Sequence, residues 1–224
     1  MRNAVRARNG APDEARMNTL VAPTPEAGSK PAQILEAAGA LFLENGYGAV
    51  SMDAVAKRAN VSKATLYAHF GSKDELFRAM MARECATLLT ASTWEEARSL
   101  PIADGLRLVG ERFVTFVTSP KALAGHRVIL GEAHRFPELS RAFFEAGPAH
   151  TIRLFTGIMQ EAQRRDELSI TDPALAAEQF LALIKANMHM KLLLCVTERP
   201  TQEEIRHYVN AAVELFVKGY APAG

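Results

Sequence analysis

The sequence predicts an all-α protein. Apolar residues recur at helical spacing in segment after segment, and serines and prolines stand where helix starts need them. No alternating strand pattern occurs, and none flanks a hairpin dipeptide. The expected architecture is an arm over 1–29, a three-helix N-terminal unit over 30–77, and a larger helical bundle over 78–224 reached through a long helix.

The arm carries Gly10, Pro12, Pro23, Pro25 and Gly28 and few large apolar residues, the composition of a flexible segment. Order is expected from Ser29. Pro31 falls in the first helical turn, where its missing N–H is harmless, and Ile34, Leu35, Ala38, Leu41 and Phe42 make one apolar face. Asn45-Gly46 should end that helix, with Gly46 in the left-handed conformation of a C-terminal cap. Ser51 can cap a short helix carrying Val55, Ala56 and Ala59, and Ser62 another carrying Leu66 and Phe70. Ser72 and Glu75 form an S-x-x-E capping box that opens a long helix through Leu76, Phe77, Met80 and Met81 to about Trp94. Pro101, Pro120, Pro137, Pro148, Pro173 and Pro200 then divide the chain into stretches of about one helix each.

The stretch from Val50 to Phe77 is the most informative. Two short capped helices flank Ala59-Asn60-Val61, a turn that can cross them steeply, as in a helix-turn-helix whose second helix enters the DNA major groove. At about 100° per residue, Ser62, Leu66, His69 and Phe70 share the inner side of the second helix. Ala64 and Ala68 point away, with Thr65 and Tyr67 beside them and Lys63 at the leading end. Small and hydroxylated side chains suit close approach to base edges, and a lysine at a helix N-terminus suits a phosphate. The first 80 residues hold ten basic and eight acidic side chains, so affinity for DNA is expected from positioned contacts rather than bulk charge. The arginines of the arm read first as a solvated tail and second as a DNA-touching strand.

Residues about 30 to 77 resemble the DNA-binding domain of the TetR family. The resemblance runs through Ile34-Leu35, Leu41-Phe42, Gly46-Tyr47, Ser51-Met52, Val55-Ala56, Val61-Ser62-Lys63, Thr65-Leu66-Tyr67, His69-Phe70, Ser72-Lys73 and Leu76-Phe77. It implies that Ser51, Ser62, Lys63, Thr65, Tyr67, His69 and Lys73 face DNA, joined on the angular argument by Ala64. Ala68 stands where family members frequently carry an aromatic residue. The stretch from Gly131 to Gly147 resembles an AefR-like type of C-terminal domain in the same family.

A single helix-turn-helix reads few base pairs, so a homodimer on double-stranded operator DNA is expected. The segment from Pro173 to Val196 is apolar nearly all round, and that from Gln202 to Val217 carries an apolar face. Paired with their symmetry mates they would bury Ala177, Phe180, Leu181, Ile184, Met188, Val209, Ala212 and Phe216. The helices of 101–168 should hold a pocket for an unidentified, mostly neutral, apolar or aromatic effector. Phe113, Phe116, Val128, Phe155 and Met159 are its candidate lining, with His126, His134 and Asn187 as polar anchors; the competing reading makes all of them plain core or surface. Ligand is expected to tilt the long helix beginning at Lys73, spoil the half-site spacing and release the operator. An activator, or a regulator answering to a protein partner, would carry the same signature.

Composition narrows the alternatives. Hydrophobic residues make up 48% and charged residues 23%, with a net charge of +1, ordinary for a soluble protein. No HExxH, GxSxG or P-loop occurs, and no His, Cys or acidic spacing suits a metal, so neither an enzyme nor a cofactor is expected. Cys85 and Cys195 read as buried, reduced thiols. No apolar run is long enough to span a membrane and no signal sequence is present, so the expected location is the cytoplasm.

Overall fold

The computed structural model describes residues 25–26, 28–88 and 90–222, so nearly all of the expected arm lies outside the described residues. The first helix, α1 (Lys30–Asn45), starts on Ser29, whose hydroxyl accepts the Ala32 N–H at 3.3 Å. It stops at Gly46, which takes φ 77° with ψ 162°. That positive φ is glycine's, as expected, but the backbone is extended rather than left-handed helical. Next come α2 (Met52–Arg58) and α3 (Lys63–His69), and Asn60 at φ 52° lets the chain reverse between them.

The helix α4 (Lys73–Leu88) is shorter than expected. Thr90 adopts an extended backbone and its hydroxyl accepts the Thr93 N–H at 3.3 Å, which starts a separate helix, α5 (Ala91–Ser99). A threonine that can cap is poorly placed inside a helix, and here it wins over continuation. The Ser72 hydroxyl accepts the Glu75 N–H, while the Glu75 carboxylate reaches one residue further back than a capping box requires, to the Gly71 N–H at 2.9 Å.

The remainder comprises α6 (Ile102–Val117), α7 (Pro120–Glu132), α8 (Pro137–Phe144), α9 (His150–Arg164), α10 (Pro173–Leu193) and α11 (Gln202–Gly219). Pro148 does not separate helices as expected. It sits in a π-helical turn, Glu145–Ala149, that carries α8 directly into α9. Within α10 the backbone departs from helix at Ala186 (φ 33°, ψ −139°), and Arg127 of α7 donates to the Leu192 and Leu193 carbonyls at its end.

Two apolar clusters result. One packs α5, α6, α9, α10 and α11 around Phe155, whose ring meets Trp94 edge-on at 5.4 Å and Phe180 at 5.8 Å. The other packs α1 to α4 around Phe42, Tyr47, Leu66 and Phe77, and includes Ile129, Leu139 and Ala142 from α7 and α8. The N-terminal core is therefore closed by the bundle. Cys195 is exposed rather than buried, beyond the end of α10 at φ 57°; the side chain of Cys85 lies outside what is described. Among the described residues no helix is long and apolar enough to cross a membrane, and no group of His, Cys, Asp and Glu could hold a metal ion.

Candidate nucleic-acid interface and adjoining cavity

The second helix of the helix-turn-helix, α3, presents the expected face. Leu66 is fully buried and Phe70 is 9% exposed, whereas Tyr67 is 50% exposed. Ala64 and Ala68 are exposed, and Thr65 is partly so. His69, which helical angles put near the inner side, is exposed as well, because α3 ends there and Phe70 turns into the core alone. Two predicted hydroxyls are occupied as helix caps. Ser51 accepts the Ala54 N–H at 3.1 Å; Ser62 accepts the Thr65 N–H at 3.0 Å and lies 2.8 Å from the Thr65 hydroxyl.

The two lysines differ. Lys63 Nζ is 2.5 Å from the Asp53 carboxylate across the α2–α3 corner, both side chains well exposed. That hydrogen bond and charge hold the ammonium above its ordinary pKa. Lys73, implied to face DNA, turns inward instead. Its Nζ donates to the Tyr47 and Val50 carbonyls at 2.7 and 2.9 Å and lies 4.2 Å from the centre of the Tyr47 ring. Burial pushes its pKa down. The Tyr47 carbonyl also accepts the Val50 N–H at 3.4 Å, so Lys73 ties together both carbonyls of the turn before α2.

The Tyr47 hydroxyl donates to Asp74, and burial followed by this carboxylate raises the phenol far above its usual range. Its ring packs on Phe42, Phe77 and, at 5.5 Å, on Phe136 beyond the end of α7. Beside it the Glu132 carboxylate accepts the Gly48 N–H at 3.2 Å. A Cβ on Gly48 would lie 3.1 Å from the Phe136 ring, so glycine is what lets the bundle approach. Sequence reasoning did not find Glu132 or Phe136; the spacing Gly46-Tyr47-Gly48 was the signal for a close approach.

A cavity of about 560 Å³ opens between this unit and the bundle. Its floor is Phe42 and Leu43 of α1 with Phe77 and Met80 of α4; its walls include Phe113 and Phe116 of α6 and Gly125, His126 and Val128 of α7; Phe143, Phe144 and Pro148 roof it. Four predicted lining residues are thus brought together: Phe113, Phe116, His126 and Val128. Four others are corrected. Phe155 and Met159 are fully buried in the bundle core, because α9 turns that face to α6 and α10 and only Thr151 and Ile152 to the cavity. His134 lies exposed just past α7, and Asn187 is exposed beyond the break at Ala186.

The polar wall comes from α10 and α7. Lys185, His189 and His126 line one side, with the histidine ring centres 5.2 Å apart and Phe143 5.4 Å from His126. Burial, then His126 and Lys185, lower His189 to about 4; burial and Lys185 lower His126; burial lowers Lys185. At the rim Lys121 pairs with Glu84 at 2.7 Å.

Seven of the eight residues expected at a dimer seam face inward. Ala177, Phe180, Leu181, Ile184, Val209, Ala212 and Phe216 are buried in the chain's own core, and Met188 packs partly against it. α10 and α11 instead leave exposed Leu175, Met190, Tyr208, Ala211 and Leu215, of which the last three form one stripe on α11.

Residues 34–80 match the model of the bacterial regulatory proteins of the tetR family, and residues 104–222 that of the AefR-like transcriptional repressor C-terminal domain. The transcriptional activator FasR of Mycolicibacterium smegmatis is 36% identical over 97 residues, 43% of this chain and 43% of FasR, so less than half of that relative is spanned. Among solved structures, the flavonoid-responsive regulator FrrA superposes with a TM-score of 0.71 at 36% identity, covering 88% of this chain and all of FrrA. A TetR regulator from Agrobacterium tumefaciens superposes with a TM-score of 0.70 at 26% identity, over 86% of this chain and 95% of that one. With a helix-turn-helix whose second helix keeps an exposed outer face, an all-helical fold, and a family match over more than half its length, the chain belongs to the TetR family of transcriptional regulators.

Proposed function

We propose that the chain is a homodimeric repressor that grips operator DNA through α3 and lets go when a small aromatic or apolar effector enters the cavity. The carrying observation is the shared wall. One cavity is lined both by α1 and α4, which hold α3 in place, and by α6, α7 and α10 of the bundle. An occupant that needs more room than the cavity offers pushes these groups apart, and it shifts the equilibrium only by as much as it prefers the displaced state. The expected route is α4, supplemented by the contact of Glu132 and Phe136 with the turn at Gly48.

Each part has its own support. The repressor sense is supported by the description of the match over 104–222. An aromatic effector is supported by the ring-rich lining and by FrrA, whose name records a response to flavonoids. Dimerisation is supported by the apolar stripe on α11, which a solvated monomer has no reason to keep. The DNA face is assigned to Ala64, Thr65, Tyr67 and His69, with Lys63, and with Ser51 and Ser62 at the edge.

The test is fluorescence anisotropy of the full chain on labelled DNA from upstream of its own gene, titrated with the flavone apigenin. Saturable, sequence-selective binding by two protomers per site, reversed by the flavone, is the expected result. Binding that no aromatic compound weakens would overturn effector release, and no selective binding would overturn the regulator reading.

A further inference from the structure

We propose that the effector is an aromatic anion, its charge held by Lys185 with His126 and His189 while its rings lie among the phenylalanines of the cavity. This deepens the reading above and rests on the cavity being the effector site.

The placement of charge around Lys185 carries the inference. Its ammonium stands on the wall of a cavity whose other contents are largely apolar, and among the described residues it has no carboxylate partner. Of the acids on the cavity wall, Glu84 is paired with Lys121 and Glu178 lies two turns earlier on α10, exposed. The groups beside Lys185 are instead two histidines whose rings lie 5.2 Å apart and tilted by 36°, one on its own helix and one on α7. Neither carries a negative charge to neutralise it, and burial, with Lys185 adding to it, lowers the pKa of both. A partly buried ammonium facing an apolar cavity without a counter-ion is unfavourable, and an oxyanion supplies the missing partner while the imidazoles donate N–H bonds. The rest of the cavity has no comparable polar demand. Phe113, Phe116, Phe143 and Phe144 offer ring faces and edges, and about 560 Å³ accommodates two or three fused or linked rings. A neutral hydrocarbon would leave Lys185 without a counter-ion, and a cation would be repelled by it.

The experiment compares two fluorescent probes of one ring frame, 8-anilinonaphthalene-1-sulfonate and the uncharged N-phenyl-1-naphthylamine, titrated into the full chain and two variants. Gly125→Leu fills the cavity, since a Cβ at Gly125 meets nothing within 4 Å, and should weaken both probes at least about tenfold. Lys185→Met keeps the aliphatic stem and removes the charge. It should weaken the sulfonate about tenfold or more and leave the uncharged probe within about twofold, which also reports an intact fold. Equal effects of Lys185→Met on both probes, or none on the sulfonate, would overturn the anion assignment and leave the cavity reading standing. If Gly125→Leu changes neither probe, the cavity is not the binding site and both readings fail. Competition identifies the oxyanion: displacement by apigenin that strengthens as its phenol ionises supports a phenolate, and displacement by 1-naphthoate supports a carboxylate.

Discussion

The Glu132 carboxylate at the end of α7 accepts a hydrogen bond from the backbone N–H of Gly48, in the turn that precedes α2, at 3.2 Å. The same α7 places Gly125, His126 and Val128 on the cavity wall. One rigid element therefore touches the cavity with its middle and the DNA-reading unit with its tip. A hydrogen bond of this exposure contributes about 1 kcal/mol. Glu132→Ala should shrink the ratio of operator affinities without and with effector by about fivefold, measured by anisotropy in paired titrations.

On the proposed DNA face, Asp53 pairs with the Lys63 ammonium and so competes with a DNA phosphate for it. Asp53→Asn should tighten DNA binding and steepen its salt dependence by about one counter-ion, whereas Lys63→Ala should weaken binding and flatten the slope by about as much. Binding constants measured across a salt series separate the two.

Neighbouring residues on α3 should respond in opposite ways. Tyr67→Phe is expected to weaken operator binding with little change in Tm, because the ring is half exposed. Leu66→Ala removes a fully buried side chain and should destabilise the fold by about 2–5 kcal/mol in thermal or denaturant unfolding.

The apolar stripe of α11 sets the dimer prediction. Leu215 is 62% exposed, and Leu215→Glu should shift the chain toward monomer in light scattering without lowering monomer stability by more than about 1 kcal/mol. The buried neighbours Val209 and Phe216 would, if truncated, unfold the chain before they separated its copies.

Stability should fall in mild acid. His189 titrates at about 4 in the folded chain against 6.5 as a free side chain, so between those values the unfolded chain binds a proton that the folded chain refuses. Folding free energy is therefore full above about pH 6.5 and declines as pH drops toward 4. His126 and His150 are lowered too and act in the same sense. His189→Gln should make the decline in Tm shallower across that window, read by calorimetry at a series of pH values.

Local chemistry was legible in the sequence. Ser29, Ser51 and Ser62 each announce a helix start, and the offset of Leu66 and Phe70 from Ala64 and Ala68 gives the inner and outer sides of α3. What depends on distant neighbours was not. α10 is apolar nearly all round, so its period cannot say which side meets its own core, and Phe180 and Ile184 went to the wrong partner. Phe155 and Phe113 carry the same signature in sequence, yet one is sealed in the bundle and the other reaches the cavity. Lys73 looks like any helix-leading lysine, and only the fold reveals the two carbonyls beneath it. His69 fell on the margin of an angular argument because α3 stops at that residue.

The turn at Glu145–Ala149 is wound one residue wider than its flanks and carries Gly147 and Pro148 into the chamber roof. Losing a single codon there would tighten the turn and rotate Phe143 and Phe144 against α9 by about 100°. The chamber would be redrawn while Ser62 to Phe70 stayed as they are. Under the function proposed above, one small deletion there would change which compound fits the chamber and leave the outer face of α3 as it is.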